Sequence, residues 1–379
     1  MRVVVAIDSF KGSATSLQAA NWVGKGIARA APDADVVKIP IADGGEGTVE
    51  ALTTALHGRV VRRQVTGPLG GQVSAEFGLL NPTTAVIEMA QASGITLTKQ
   101  APEDALRAST YGVGELIRAA IDEGADTIYI GLGGSATTDG GAGMAKALGV
   151  QFFDANGQAI ACGAQGLAKL ARIDTSRLDP RLAHVAIRVL SDVTNPLIGP
   201  KGAAAIYGPQ KGLTDGAIPQ VDGWLAHYAA LVQVATGRDV DQASGAGAAG
   251  GLGAGLLAFT NAKMYRGIEK ILELLQVSTQ IETADLVITG EGRMDAQSIN
   301  GKAPIGIAHA AKRFGVPVVA LVGARSDDLG AVYAEGIDAV WSILNRPQTL
   351  AEAMANVAVN LTTAGETAIR VFQMKRKVR

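Results

Sequence analysis

Residues 127–149 read TIYIGLGGSATTDGGAGMAKALG. An apolar run stops at a loop in which six of the thirteen residues Gly131–Gly143 are glycine, and the loop opens directly on a helical pattern. A strand joined to a helix by so little side chain has two physical readings. The glycines let backbones pass closely, or their free N–H groups at a helix N-terminus cradle an anion.

The same strand–loop–helix punctuation recurs along the chain. Short runs rich in Val and Ile occur at Val3–Ile7, Val36–Ile41, Ala85–Met89, Thr127–Gly131, Ile187–Leu190, Leu286–Thr289, Val316–Val322 and Ala339–Ile343. They are near-continuous, as strands buried on both faces of a parallel sheet require. Helical spacing fills the intervals at Ser16–Ala30, Asp104–Glu123 and Ala303–Phe314. The chain is therefore expected to be α/β.

The middle reads differently. Gly67–Ala90 resembles hairpins divided by Gly, Pro and Asn, and residues 150–220 mix short strands with turns such as DANGQ and LDPRL. These contrasts predict two domains. Residues 1–66 and 282–379 form a discontinuous Rossmann- or flavodoxin-like parallel-sheet domain, residues 67–281 an inserted mixed α/β domain, and 103–150 could belong to either. A cleft between two such domains is a favoured place for an active site.

Composition bounds the function. At 379 residues, with 47% hydrophobic and 18% charged residues, the chain is globular. Its 48 glycines are nearly double the ~7% average and come in bursts. A net charge of −1 offers no broad basic field for nucleic acid. The one basic cluster, KRKVR at the C-terminal end, reads as a solvated helix end. The single cysteine, Cys162, can form neither a disulfide nor a cysteine metal site within the chain. The opening MRVVVAIDSF is a strand too short for a signal-peptide core, and the longest uncharged stretch, from Ser244, is dense in glycine and ends at Lys263. A cytoplasmic protein without a membrane span is expected.

Five stretches follow apolar runs and collect chemistry: DSFKGS (Asp8–Ser13), ADGGEGT (Ala42–Thr48), the 131–143 loop, SDVTNP (Ser191–Pro196) and TGEGRMD (Thr289–Asp295). In an open parallel sheet, ligands bind beyond the carboxyl ends of the strands, where these stretches would lie. Lys11 suits phosphate oxygens, or the stretch is a plain βα loop with a capping Ser13 or Thr15. Asp43 and Glu46 suit Mg²⁺ ligation or proton abstraction, or a helix start. Asp192 and Asn195 suit a metal or a substrate hydroxyl, or an Asx-turn. Glu291, Arg293 and Asp295 sit together on a predicted loop, where Arg suits a carboxylate or phosphate.

The 131–143 loop also matches G-x-G-x-x-A, with Asp154 about twenty residues on, a loose dinucleotide fingerprint. That leaves a nicotinamide-dependent oxidoreductase as an alternative, and a non-catalytic small-molecule sensor as another. No G-x-x-x-x-G-K-[ST] occurs, and the histidines (His57, His184, His227, His309) are scattered. With no usable His or Cys, the chemistry rests on Asp, Glu, Lys and Arg. Together with glycine loops these favour phosphoryl transfer.

DSFKGS, PIADGGEGT, IEMAQASG, GLGGSATTDGGAGMAKALG, SDVTNPL, GPQKG, GAGAAGGLGAGL and VITGEGRMDAQSINGKAP together closely resemble the type-1 glycerate kinases of bacteria, over essentially the whole chain. AIDSFKGS here departs from the relatives' Pro before the Asp. The resemblance implies a two-domain α/β fold and ATP- and Mg²⁺-dependent phosphorylation of the small molecule D-glycerate. The product would be 2-phosphoglycerate, with 3-phosphoglycerate the alternative. Asp192 is then the first choice for the carboxylate at the acceptor hydroxyl, and Asp43 the second. Lys11, Arg293 and Lys302 are expected cations, and Gly133, Gly134 and Ser135 a phosphate cradle. Ser9, Gly44, Gly45, Glu46, Asn195, Gly290 and Glu291 complete the expected binding set. Asp43, Asp192 and Asp295 are the expected Mg²⁺ ligands.

Overall fold

The computed structural model describes residues 1–299 and 302–374. The basic cluster at 375–379 and the pair at 300–301 lie outside the described residues. The chain is α/β and divides into two compact units. One comprises Met1–Asp43, Glu50–Leu56 and Arg266–Arg379; the other comprises Gly44–Val49 and His57–Tyr265.

The first unit is built on a parallel sheet of five strands: β1 (Arg2–Ile7), β2 (Asp35–Pro40), β11 (Leu286–Met294), β12 (Val318–Arg325) and β13 (Ala339–Ser342). Their order is β13-β12-β11-β1-β2, every pair parallel. The order reverses at β1: its chain neighbour β2 lies on one side, and β11 on the other. The β1/β11 edge is thus a topological switch point, where open α/β sheets take ligands. Val3, Val5, Ile7, Leu286, Ile288 and Leu321 share one core with the helices Ser16–Ala30 and Val357–Met374.

Helix Ser16–Ala30 begins where its sequence says it should. Thr15 accepts the Gln18 N–H, and the Gln18 side chain accepts the Thr15 N–H, a capping box. Ala19, Ala20, Val23 and Ile27 make its buried face. Gly26 lets the C-terminal helix pass, since a Cβ there would stand 2.0 Å from the Thr362 carbonyl oxygen.

The second unit carries a mixed sheet of β3 (Arg59–Thr66), β4 (Gln72–Asn81), β5 (Thr84–Glu88), β6 (Thr127–Gly131), β9 (Ala186–Leu190) and β10 (Lys263–Tyr265). The order is β10-β9-β6-β5-β4-β3. From β5 to β10 the pairs are parallel, while β4 is antiparallel to both β5 and β3. β7 (Gln151–Phe153) and β8 (Arg172–Asp174) form a separate antiparallel pair. The compact unit resumes at His57, ten residues before the expected start at 67, because β3 pairs with β4 along its whole length from Arg59 to Thr66. Its charged alternation (RVVRRQVT) had concealed a strand.

Two further expectations change. The helix expected over Asp104–Glu123 is two, Pro102–Arg107 and Tyr111–Asp122. It breaks at Ala108–Thr110 because the Thr110 N–H and hydroxyl both turn to the Asp139 carboxylate. The predicted loop Gly290–Met294 is strand: β11 continues to Met294, with Glu291 opposite Val322 and Arg293 opposite Ala324.

Candidate active site

At the carboxyl edge of the first unit's sheet, the turn after β1 is closed by Phe10 N–H to Ala14 O and Ser13 N–H to Phe10 O, with Gly12 at φ +77°. It leaves Lys11 exposed at the tip, with Asp8 and Ser9 half-buried at its root. The Asp8 N–H donates to Gly290 O at 3.0 Å, tying the start of this turn to β11. Oδ1 of Asp8 accepts the Ser9 N–H at 2.6 Å. Burial, then the Asp43 carboxylate, then Glu291 push the Asp8 carboxyl up to about 8, against the Ser9 hydrogen bond.

Glu291 is 8% exposed on β11. Its Oε2 accepts from Lys302 Nζ at 2.9 Å, while its buried Oε1 has no partner among the described residues. Burial raises its pKa, and Lys302 opposes the rise. Lys302 also donates to Arg293 O and Ser298 Oγ, both at 3.2 Å. Its ammonium, expected as a free cation for substrate, is fixed by three protein oxygens. Arg293 is largely exposed, with Nε 3.4 Å from the Asp295 carboxylate. Gly290 is glycine for β12: a Cβ there would stand 1.9 Å from Leu321 O.

The second unit holds two glycine loops, each anchored by a buried carboxylate that the sequence reading did not single out. Glu88, at the end of β5, accepts the Val49 N–H at 2.7 Å and is further bonded by the Gly47 N–H. It therefore caps the helix Thr48–Ala55 and shapes the loop holding Gly44, Gly45 and the exposed Glu46. Asp139, fully buried, accepts from Thr110 N–H (2.8 Å), Thr110 Oγ1 (3.0 Å), Gly141 N–H (3.1 Å) and Gly143 N–H (3.2 Å). Burial raises the pKa of both acids, and these hydrogen bonds oppose it. An acidic residue just before a helix N-terminus is a capping signal; it was there to be read for Asp139.

These anchors answer the question of the glycines. A Cβ on Gly131 would meet Gly44 O at 2.2 Å, and one on Gly133 would meet Gly45 Cα at 2.7 Å. The N–H groups of Gly141 and Gly143, at the start of the helix Ala142–Ala147, are taken by Asp139. Gly133 and Gly134 are exposed, and no acceptor for the N–H groups of Gly133, Gly134 or Ser135 is found among the described residues. The anion-binding capacity of the loop thus lies at 133–135, short of the helix. Gly250, Gly251 and Gly255 pack the 245–255 segment onto this loop, a Cβ on Gly250 meeting Thr137 O at 1.8 Å.

Behind the loop, Lys211 is fully buried and donates to Thr137 O at 2.7 Å. Burial lowers its pKa to about 7, against the pull of Asp139. Asp192 is half-buried after β9, where Ser191 N–H donates to Tyr265 O. Asn195 braces its own loop: its Oδ1 accepts from Tyr207 OH and its Nδ2 donates to Lys201 O, both at 2.8 Å. Asp154 accepts the Asn156 and Gln158 N–H groups, both on Oδ1, in a hairpin turn. No group of three or more His, Cys, Asp and Glu poised for a metal ion is found among the described residues. No helix among them is long and apolar enough to cross a membrane.

The first unit gathers acidic and basic side chains at its sheet's switch point, where α/β proteins take small ligands, and the second unit holds carboxylate-anchored glycine loops. The model of the glycerate kinase family matches residues 3–373. The chain is 50% identical over 353 residues to a glycerate kinase of Halalkalibacterium halodurans, covering 93% of each chain. It is 48% identical over 365 residues to the glycerate 2-kinase of Escherichia coli K12, covering 96% of each. It also resembles the crystal structure of a glycerate kinase 2 candidate from Salmonella typhimurium LT2, with TM-score 0.88, 45% identity and coverage of 100% of this chain and 99% of that one. The chain belongs to the glycerate kinase family.

Proposed function

We propose that this protein transfers the γ-phosphoryl group of ATP to the C2 hydroxyl of D-glycerate, giving 2-phosphoglycerate and ADP in the cytoplasm. The observation that carries this reading is the 48% identity over 96% of both chains with a protein named glycerate 2-kinase. The N–H groups of Gly133, Gly134 and Ser135, for which no acceptor is found among the described residues, suit phosphate oxygens. Lys11, exposed beyond β1, and Arg293 supply mobile positive charge. A loose phosphoryl-transfer transition state asks mainly for such positioning and charge neutralisation.

Mg²⁺ would neutralise phosphate charge. It is commonly held by one or two carboxylates together with substrate phosphates, so it requires no preformed cage of three acids. Asp295 is the carboxylate proposed for it.

NMR of the product formed from ATP, Mg²⁺ and D-glycerate tests the reading. A phosphorus signal coupled to the C2 proton is expected. Coupling to the C3 protons would make the protein a 3-kinase, and no phosphorylated product with ATP intact would refute the assignment.

A further inference from the structure

We infer that Asp8, at the carboxyl end of β1, is a catalytic residue that accepts the proton of the acceptor hydroxyl, in place of the two carboxylates the sequence pointed to. This rests on the phosphotransfer reading above.

The argument compares the buried acids. Asp139 receives three N–H groups and a hydroxyl, and Glu88 receives the N–H groups of Val49 and Gly47. Their oxygens are committed to the backbone, and a carboxylate so engaged is a poor proton acceptor. Among the described residues Asp8 is hydrogen-bonded only by its neighbour Ser9, through the Ser9 N–H on Oδ1 and through the Ser9 side chain.

The surroundings make Asp8 basic. Asp43 and Glu291 both act on it with like charge. The nearby ammonium of Lys302 is bonded to Glu291 Oε2, Arg293 O and Ser298 Oγ. Like-charged neighbours favour protonation of the least compensated member.

A second observation points to a ligand here. Glu291, only 8% exposed, keeps Oε1 buried and without a partner among the described residues. A buried carboxylate oxygen is costly to leave unmatched, and a hydroxyl donor on the ligand would satisfy it. Glu291 follows Gly290, whose carbonyl accepts the Asp8 N–H, so both carboxylates stand at the β1/β11 switch point.

The step balances. The C2 hydroxyl oxygen bonds to the γ-phosphorus as the bond from that phosphorus to the bridging oxygen breaks. ADP leaves with that electron pair, and the hydroxyl proton passes to the Asp8 carboxylate and then to solvent. Positioned proton acceptors contribute on the order of 10²–10⁴ in rate.

Asp8→Asn keeps the shape and removes the basic oxygen. Assayed beside wild type, it is expected to lose at least a hundredfold in kcat, with KM for ATP and for D-glycerate within about threefold and an unchanged melting temperature. A kcat within threefold of wild type, or a loss confined to KM, overturns the proposal. So does a larger kcat loss in Asp192→Asn than in Asp8→Asn. Should Asp8→Asn fail to fold, Asp8→Glu replaces it, which displaces the carboxylate by one methylene. A drop of at least tenfold in its kcat supports the proposal, and full turnover overturns it. Wild-type protein that makes no phosphoglycerate would refute the kinase reading itself, a result distinct from any of these.

Discussion

Lys211 is the most exacting single side chain in the protein. It is a lysine with no exposed surface to speak of, and its ammonium meets one carbonyl, that of Thr137. Folding lowers its pKa from 10.5 to about 7. Between those values the unfolded chain binds a proton that the folded chain does not. The stability of the fold therefore rises with pH across that window, by up to about 1.4 kcal/mol per pH unit from this group. Below pH 7 both states are charged and the burial penalty is felt in full. Lys211→Met should flatten the rise, as read from urea unfolding at pH 7, 8 and 9. Parallel curves for the two proteins would mean that Lys211 is charged in the folded state as well. The residue scale also shows where sequence reading stopped short. The small residues of the 131–143 loop drew attention to its backbone, yet Asp139 within it holds the loop together. Its role depends on Thr110, twenty-nine positions away, and no local pattern announces that partner.

Among the elements, the pair of helices Ser16–Ala30 and Val357–Met374 shows what glycine does in this chain away from ligands. They come from opposite ends of the sequence and cross at Gly26 and Gly365. A Cβ on Gly26 would stand 2.0 Å from a backbone oxygen and 2.7 Å from a backbone nitrogen, neither of which can rotate away. Helix propensity alone would make Gly26→Ala stabilising by up to about 1 kcal/mol. Packing decides the other way: the variant should lose roughly 1–3 kcal/mol in chemical unfolding. A gain in stability would show that the two helices can separate at little cost. The start of the helix Ser16–Ala30 was legible by contrast, with Ser13 and Thr15 as its two candidate caps, and Thr15 closes a capping box contained within four residues. β3 was not legible, since a charged strand at a sheet edge carries no apolar run to mark it.

At the scale of the molecule, the second unit is not one continuous stretch of chain. It recruits Gly44–Val49, and these six residues supply the N–H groups for Glu88 and the backbone against which Gly131 and Gly133 pack. A fragment of residues 57–265 would keep Glu88 buried and take away its two backbone donors, which is costly for a carboxylate. A fragment of residues 44–265 should accordingly show a clearly higher urea midpoint than the shorter one. Equal midpoints would mean that the six residues contribute nothing to the fold of that unit.

The sequence by itself determined the α/β class, the parallel strands, the principal glycine loops and, through long specific motifs, the family. Each of these is written in local period, local turn chemistry or contiguous residue strings. Only the tertiary structure decided how the buried acids divide their work. Asp139 and Glu88 became anchors, Lys302 became the tether of Glu291, and Asp8 was left with its neighbour Ser9 as hydrogen-bond partner and two like-charged neighbours. Burial and hydrogen-bond supply are set by residues distant in the chain, so the same carboxylate reads alike in sequence whether the fold fills its oxygens or leaves one open.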